Sequence, residues 1–299
     1  LRGDYAAAIR EWGPLAAQGD PRAQFNIGNM FDFGKGVKED NAQAVYWYKK
    51  SAEKGNASAQ YALGWMFENG EGVKKDLAQA FKWYQKSAKK YHAAAQTNLG
   101  WMYEHGKGVE QDYIEAISWY KKAAEQGDTK AQLNLGIIYK YGKGVAKDYG
   151  QVFYWINKAA EQGSAVAQFN LGVMYEYGKG VEEDYRQAVQ WYKKAAEQKH
   201  SGAQTNLGWM YENGKGVPQD YGASAKWYSL AAEQGNADAQ YHLGGLYVKG
   251  QGVPQDYKTA VKWYILAAEQ GNAYAQNNLG LMYRDGKGVP QDYKTAVKW

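Results

Sequence analysis

Residues 94–127 read AAQTNLGWMYEHGKGVEQDYIEAISWYKKAAEQG. Within them Ala95, Leu99, Met102 and Tyr103 fall at i, i+4, i+7 and i+8, one face of a helix. Gly106 follows where a helix ends on a left-handed residue, a conformation glycine adopts at least cost. Asp112 is placed to cap a second helix, and Glu115, three residues on, to complete a capping box. The apolar face of that second helix is Ala116, Ile117, Trp119, Tyr120, Ala123 and Ala124. Its small residues allow close approach, and Trp119 is expected to fill the space beside them, removing roughly 150–250 Å² from water. The stretch therefore predicts helix A over 94–105, a glycine loop, helix B over 113–125 and a turn at Gly127-Asp128.

The same pattern recurs along the whole chain. A Gly-x-Gly-Val loop begins at Gly34, Gly70, Gly106, Gly142, Gly178, Gly214, Gly250 and Gly286, each 36 residues from the last. An Ala-Gln pair precedes every loop, from Ala23-Gln24 to Ala275-Gln276, and a capping Asp follows each, from Asp40 to Asp292. A Trp stands seven residues after each Asp, from Trp47 to Trp299. Such a period means stacked supersecondary units sharing one continuous core, which overrides the usual length-based domain count. The expected organisation is one solenoid over 1–299. It comprises a half-repeat or cap at 1–19, repeats at 20–55, 56–91, 92–127, 128–163, 164–199, 200–235 and 236–271, and a truncated last repeat at 272–299. In the first segment a lone helix B runs from Asp4 to Gly19, with Pro14 expected to interrupt it. Leu1 is not an initiator Met and Trp299 falls inside a helix pattern, so the chain is expected to continue at its ends.

Composition narrows the function classes. The 299 residues carry 12 Trp, 27 Tyr, no Cys and a net charge of +5, with a mean hydropathy of -0.72. The absence of cysteine excludes disulfides and thiolate metal sites. The modest charge gives no footprint for nucleic acid. No apolar run approaches the ~20 residues that cross a bilayer, so a transmembrane chain is not expected. Gly-Lys-Gly-Val is no phosphate loop, because no strand precedes it and the Lys-Ser/Thr pair is missing. The four His residues give no metal spacing and no triad; His105 faces the variable side of its helix, His92 and His200 stand in turns, and His242 is alone on its helix. No cofactor, no metal and no catalytic residue is assigned.

With these residues in view, the pattern Ala-x-x-Asn-Leu-Gly-x-Met-Tyr-x-x-Gly-x-Gly-Val, Asp-Tyr-x-x-Ala-x-x-Trp-Tyr, Ala-Ala-Glu-Gln-Gly-(Asp/Asn) resembles the Sel1-like repeat, matched by residues 203–236 and most other units. The resemblance implies an all-α, right-handed αα-solenoid related to tetratricopeptide repeats, working as an adaptor or scaffold, often in bacteria. It favours a periplasmic or secreted location and leaves a cytoplasmic one open. The lack of cysteine separates the chain from the disulfide-stapled branch of that family.

Comparing units within the chain separates fixed columns from variable ones. The columns of Ala95, Leu99, Gly100, Met102 and Tyr103 barely change, whereas those of Ala94, Thr97, Trp101, Glu104 and His105 do. At ~100° per residue the variable five share one face, which by the resemblance lines the concave groove. The candidate partner-binding residues lie there. Phe25, Tyr61, Phe169 and Tyr241 come from the Thr97 column, and Trp65, Trp101 and Trp209 from the next. Glu68, Glu104, Glu176 and Glu212 form an acidic rim, and Phe33, His105, Tyr141 and Tyr177 complete the set. The acids sit in the last turn of helix A, against the preference of the helix dipole for cations. Lys107 is the nearest offset for Glu104. Aromatic anchors with acids suit an extended or helical peptide carrying basic residues. The alternative is a glycan, stacked on the rings and accepted by the carboxylates. The Lys row from Lys50 to Lys194 suits the dipole at the helix B C-termini, and Leu230, Ile265 and Leu266 interrupt the polar outer face of the last units.

Overall fold

The computed structural model describes residues 5–299; the expected start at Asp4 lies outside the described residues. Every regular element among them is a helix. The A helices are Pro21–Asp32, Ala57–Asn69, Ala93–His105, Thr129–Tyr141, Ala165–Glu176, Ser201–Asn213, Ala237–Lys249 and Ala273–Asp285. The B helices are Tyr5–Ala17, Asn41–Glu53, Leu77–Ala88, Tyr113–Glu125, Tyr149–Glu161, Tyr185–Glu197, Tyr221–Glu233, Tyr257–Glu269 and the short Tyr293–Ala296. The chain forms two compact units, one ending at Asp148 and one beginning at Tyr149. Inside each, every A helix packs on the B helix after it, and every B helix on the next A helix.

Local chemistry accounts for the boundaries. Asp112 Oδ1 accepts from the N–H groups of Ile114 at 2.8 Å and Glu115 at 3.0 Å. The expected capping box is only half made, because the Asp112 N–H donates to the Tyr103 carbonyl of helix A at 3.0 Å. The loop is thereby tied across its own repeat, as are Asp40 to Phe31 and Asp76 to Phe67. Gly106 ends its helix at φ 63°. Pro14 does not interrupt the first helix: it lies inside Tyr5–Ala17, and its carbonyl still accepts from Gln18 at 3.0 Å.

The invariant columns are joints. Each Ala-Gln pair places a glutamine amide on the last turn of the preceding helix B, as Gln96 Nε2 on the Ala88 carbonyl at 3.1 Å. That carbonyl also accepts from the Tyr91 N–H at 3.0 Å, so the glutamine adds a second bond at the helix end. Gly100 lies against Tyr120, where a Cβ would fall 2.8 Å from the ring. Tyr48, Tyr84, Tyr120, Tyr192 and Tyr228 are thus the large side chains that fill the core completely. Trp119 takes a different place from the expected one, whereas Trp155 in the same column is buried in the core. Trp119 is half-buried at the edge of the core, with Lys122 Nζ 4.0 Å over its ring. Lys50, Lys86 and Lys194 sit likewise over Trp47, Trp83 and Trp191, so the basic row also makes cation–π contacts.

Candidate partner-binding hollows

Within each unit the A helices present their variable columns side by side, and hollows open along them. In the first unit Phe25 and Phe33 from one A helix meet Tyr61 and Trp65 from the next around a space of about 510 Å³. Asp32, Glu39, Glu71 and His92 also line it. Phe33 is 61% exposed and Trp65 37% exposed. Tyr61 is fixed from behind by His92, whose ring stacks on it at 4.8 Å. His92 caps the following A helix, accepting from the Ala95 N–H through Nδ1 at 3.3 Å. Burial holds its pKa below the usual histidine value, which suits a neutral ring acting as acceptor.

In the second unit Glu176, Tyr177 and Trp209 share a space of about 500 Å³ with Glu183, Asp238 and His242. Glu212 and Tyr241 line a smaller one of about 180 Å³, again with His242. His242 stacks flat on Tyr228 at 5.0 Å, with Nδ1 3.8 Å from Glu212. Burial lowers its pKa, and the Glu212 charge works against that. Phe169 is packed under His200 at 4.6 Å, repeating the Tyr61–His92 arrangement. Trp101 lines none of these hollows; it is half-buried and stacks on the exposed His105 at 4.8 Å. Tyr141 is exposed, with Lys140 Nζ 5.3 Å from its ring.

The acidic rim is the main correction. Glu104 and Glu176, expected to face solvent, are buried, and Glu68 and Glu212 are half-buried. Each carboxylate turns inward to the core tyrosine of its own repeat. Tyr84 donates to Glu68 at 2.6 Å, Tyr120 to Glu104 at 3.0 Å and Tyr228 to Glu212 at 2.9 Å, and Tyr192 donates to Glu176. A buried hydroxyl needs a partner, and a charge-assisted bond outweighs the unfavourable dipole at the helix end. Burial and the neighbouring carboxylate hold these phenols far above the ordinary tyrosine pKa. Glu104 has a second partner in Lys143, at 2.9 Å, rather than Lys107. Asp32 stands in the same column but is not among the candidate partner-binding residues; it receives the Tyr48 hydroxyl at 2.8 Å. Burial raises the Asp32 pKa, Tyr48 lowers it and the charge of Glu39 raises it.

A helical-pair solenoid with joints in fixed columns and rings in variable ones defines a repeat scaffold. The Sel1 repeat profile matches residues 21–56, 57–92, 93–128, 129–164, 165–200, 201–236, 237–272 and 273–299, and the chain belongs to the Sel1 repeat family. Its structure is similar to that of a protective antigen present in uropathogenic Escherichia coli strains, at 39% identity and a TM-score of 0.94, covering 97% of this chain. This chain spans only 62% of that protein. It is also similar to a Sel1 repeat protein from Oxalobacter formigenes, at 38% identity and a TM-score of 0.74, covering 97% of this chain and 84% of that one. No curated protein sequence matches the chain. Sel1 repeat proteins generally mediate protein–protein interaction and are typically non-catalytic. No described helix is long and apolar enough to cross a membrane.

Proposed function

We propose that this chain is a non-catalytic scaffold that holds a segment of a partner protein on its A-helix face. The observation that carries the reading is the first hollow, where Phe25, Phe33, Tyr61 and Trp65 from two consecutive A helices converge. Adjacent exposed rings on a rigid frame are what peptide anchors dock against. Glycan binding is a second reading, favoured by the exposed rings of Phe33, Tyr141 and Tyr177. Its carboxylate half loses support, because Glu68, Glu104, Glu176 and Glu212 already receive tyrosine hydroxyls.

The test is selection of peptides from a displayed random library, followed by binding to a Trp65→Ala, Trp101→Ala double variant. The reading expects saturable binders whose affinity falls at least tenfold in the variant while its helical spectrum is retained. Undiminished binding would remove the A-helix face as the site. Titration with soluble oligosaccharides, followed by tryptophan fluorescence, separates the glycan reading: it needs a saturable shift, and the scaffold reading expects none.

A further inference from the structure

Among the described residues Glu104 is the one carboxylate of its column paired with a lysine, and Asp32 differs from it in what the neighbouring loop brings. In the repeat of Glu104, both carboxylate oxygens are engaged, Oε2 by the Tyr120 hydroxyl at 3.0 Å and Oε1 by Lys143 Nζ at 2.9 Å. Lys143 reaches in from the glycine loop of the next repeat, 39 residues along the chain. The residue 39 positions after Asp32 is Glu71. The loop position that supplies an ammonium to Glu104 therefore supplies a second carboxylate to the Asp32 corner.

Among the described residues no ion pair compensates. Asp32, Glu39 and Glu71 line the first hollow together with four aromatic rings, and no Lys or Arg is among its lining residues. None of the ion pairs among the described residues reaches these three carboxylates. The Lys35 ammonium lies 5.0 Å from the Phe33 ring centroid and forms no ion pair with these acids. All this occurs in a chain whose net charge is +5, so the local acidity runs against the whole.

Building on the scaffold reading, we infer that the first hollow receives a basic side chain of the partner, a lysine or an arginine, in the place that Lys143 takes over Glu104. Its aliphatic stem crosses Phe25, Phe33, Tyr61 and Trp65, and its charge meets Asp32 and Glu71. Aromatic faces and carboxylates both attract an organic cation, and part-burial of the site strengthens both attractions. Asp32 already accepts the Tyr48 hydroxyl, so it is fixed in place before a guest arrives.

The test follows the Trp65 indole resonance, identified by its loss in Trp65→Phe, while the full chain is titrated with N-acetyl-lysine amide, N-acetyl-arginine amide or N-acetyl-leucine amide. At least one basic probe is expected to shift the resonance saturably, and the larger of the two shifts names the preferred side chain. The leucine probe is expected to leave it unmoved. Glu71→Gln should weaken the basic probe at least threefold, and Glu71→Lys, which installs the internal cation, should abolish the shift with the melting curve intact. Equal shifts by leucine, persistence in Glu71→Lys, or no saturable shift by either basic probe would overturn the inference. Peptides selected on the A-helix face that bind without any basic residue would overturn it too, while leaving the scaffold reading standing. Basic-probe binding with no peptide selected would do the reverse.

Discussion

Asp32 and Glu104 occupy one position in two repeats of the first unit, and each receives the hydroxyl of its own core tyrosine. One has Lys143 beside it, and the other has Glu71 in the equivalent place. The frame is the same and the charge is reversed. A repeat scaffold can therefore be read as a series of identical sockets. The informative sockets are those whose internal plug has been removed.

The largest effect should come from the frame that the two corners share. A Cβ at Gly100 would lie 2.8 Å from Tyr120, and one at Gly28 would lie 2.6 Å from Tyr48. Both tyrosines are fully buried and have no room to yield. Gly100→Ala and Gly28→Ala should each destabilise the chain by about 2–3 kcal/mol in urea unfolding. A negligible cost at Gly28 alone would break the equivalence of the two repeats.

A smaller effect should separate the corners. Lys143→Gln leaves the buried Glu104 with only its tyrosine, and the Lys143 side chain is 36% exposed, so solvent screening reduces the loss. A cost of about 1 kcal/mol is expected, well below that of breaking a fully buried pair. Glu71→Gln removes one of the carboxylates that line the hollow with Asp32 and should be neutral or slightly stabilising. Equal losses for the two variants would mean that position 71 already has a partner.

The smallest effect concerns the wall of the hollow. His92 accepts from Ala95 through Nδ1, and burial lowers its pKa below the unfolded value of about 6.5. As the pH falls below about 6.5, the unfolded chain binds the proton more readily than the folded one. The stability contributed by the neutral cap is present above that pH and lost progressively on acidification. His92→Asn, which restores the cap used at Asn56, should flatten the dependence of the urea midpoint between neutral pH and about pH 5. An unchanged slope would show that position 92 binds protons equally in the folded and unfolded chains.

The fold was almost wholly legible in the sequence, since the period, the glycine after each A helix and the aspartate before each B helix mark boundaries by local chemistry alone. The site was legible in part. Phe25, Phe33, Tyr61 and Trp65 were readable as neighbours because variable columns share a face, and the structure gathers them. The direction of the acids was not, because it depends on a partner sixteen residues away on the other helix. A signal existed: an acid in the Glu104 column is matched by a tyrosine in the Tyr120 column in five repeats, whereas Lys140 is matched by Ile156. Val248 is the exception, paired in sequence with Tyr264, whose hydroxyl accepts from Asn278 at 3.1 Å and whose pKa is pushed up to about 12 mainly by burial. Trp119 was misplaced for a related reason: hydrophobic pattern does not distinguish a ring filling the core from one lying under a lysine at its edge.

The most direct measurement is a double-mutant cycle that compares the two sockets. In a Glu71→Lys background, replacing Asp32 by Asn should reveal a coupling with Lys at position 71 of about 1 kcal/mol, matching that between Glu104 and Lys143 in the natural chain. A coupling near zero at the Asp32 corner, beside a clear one at Glu104, would show that a cation does not belong there.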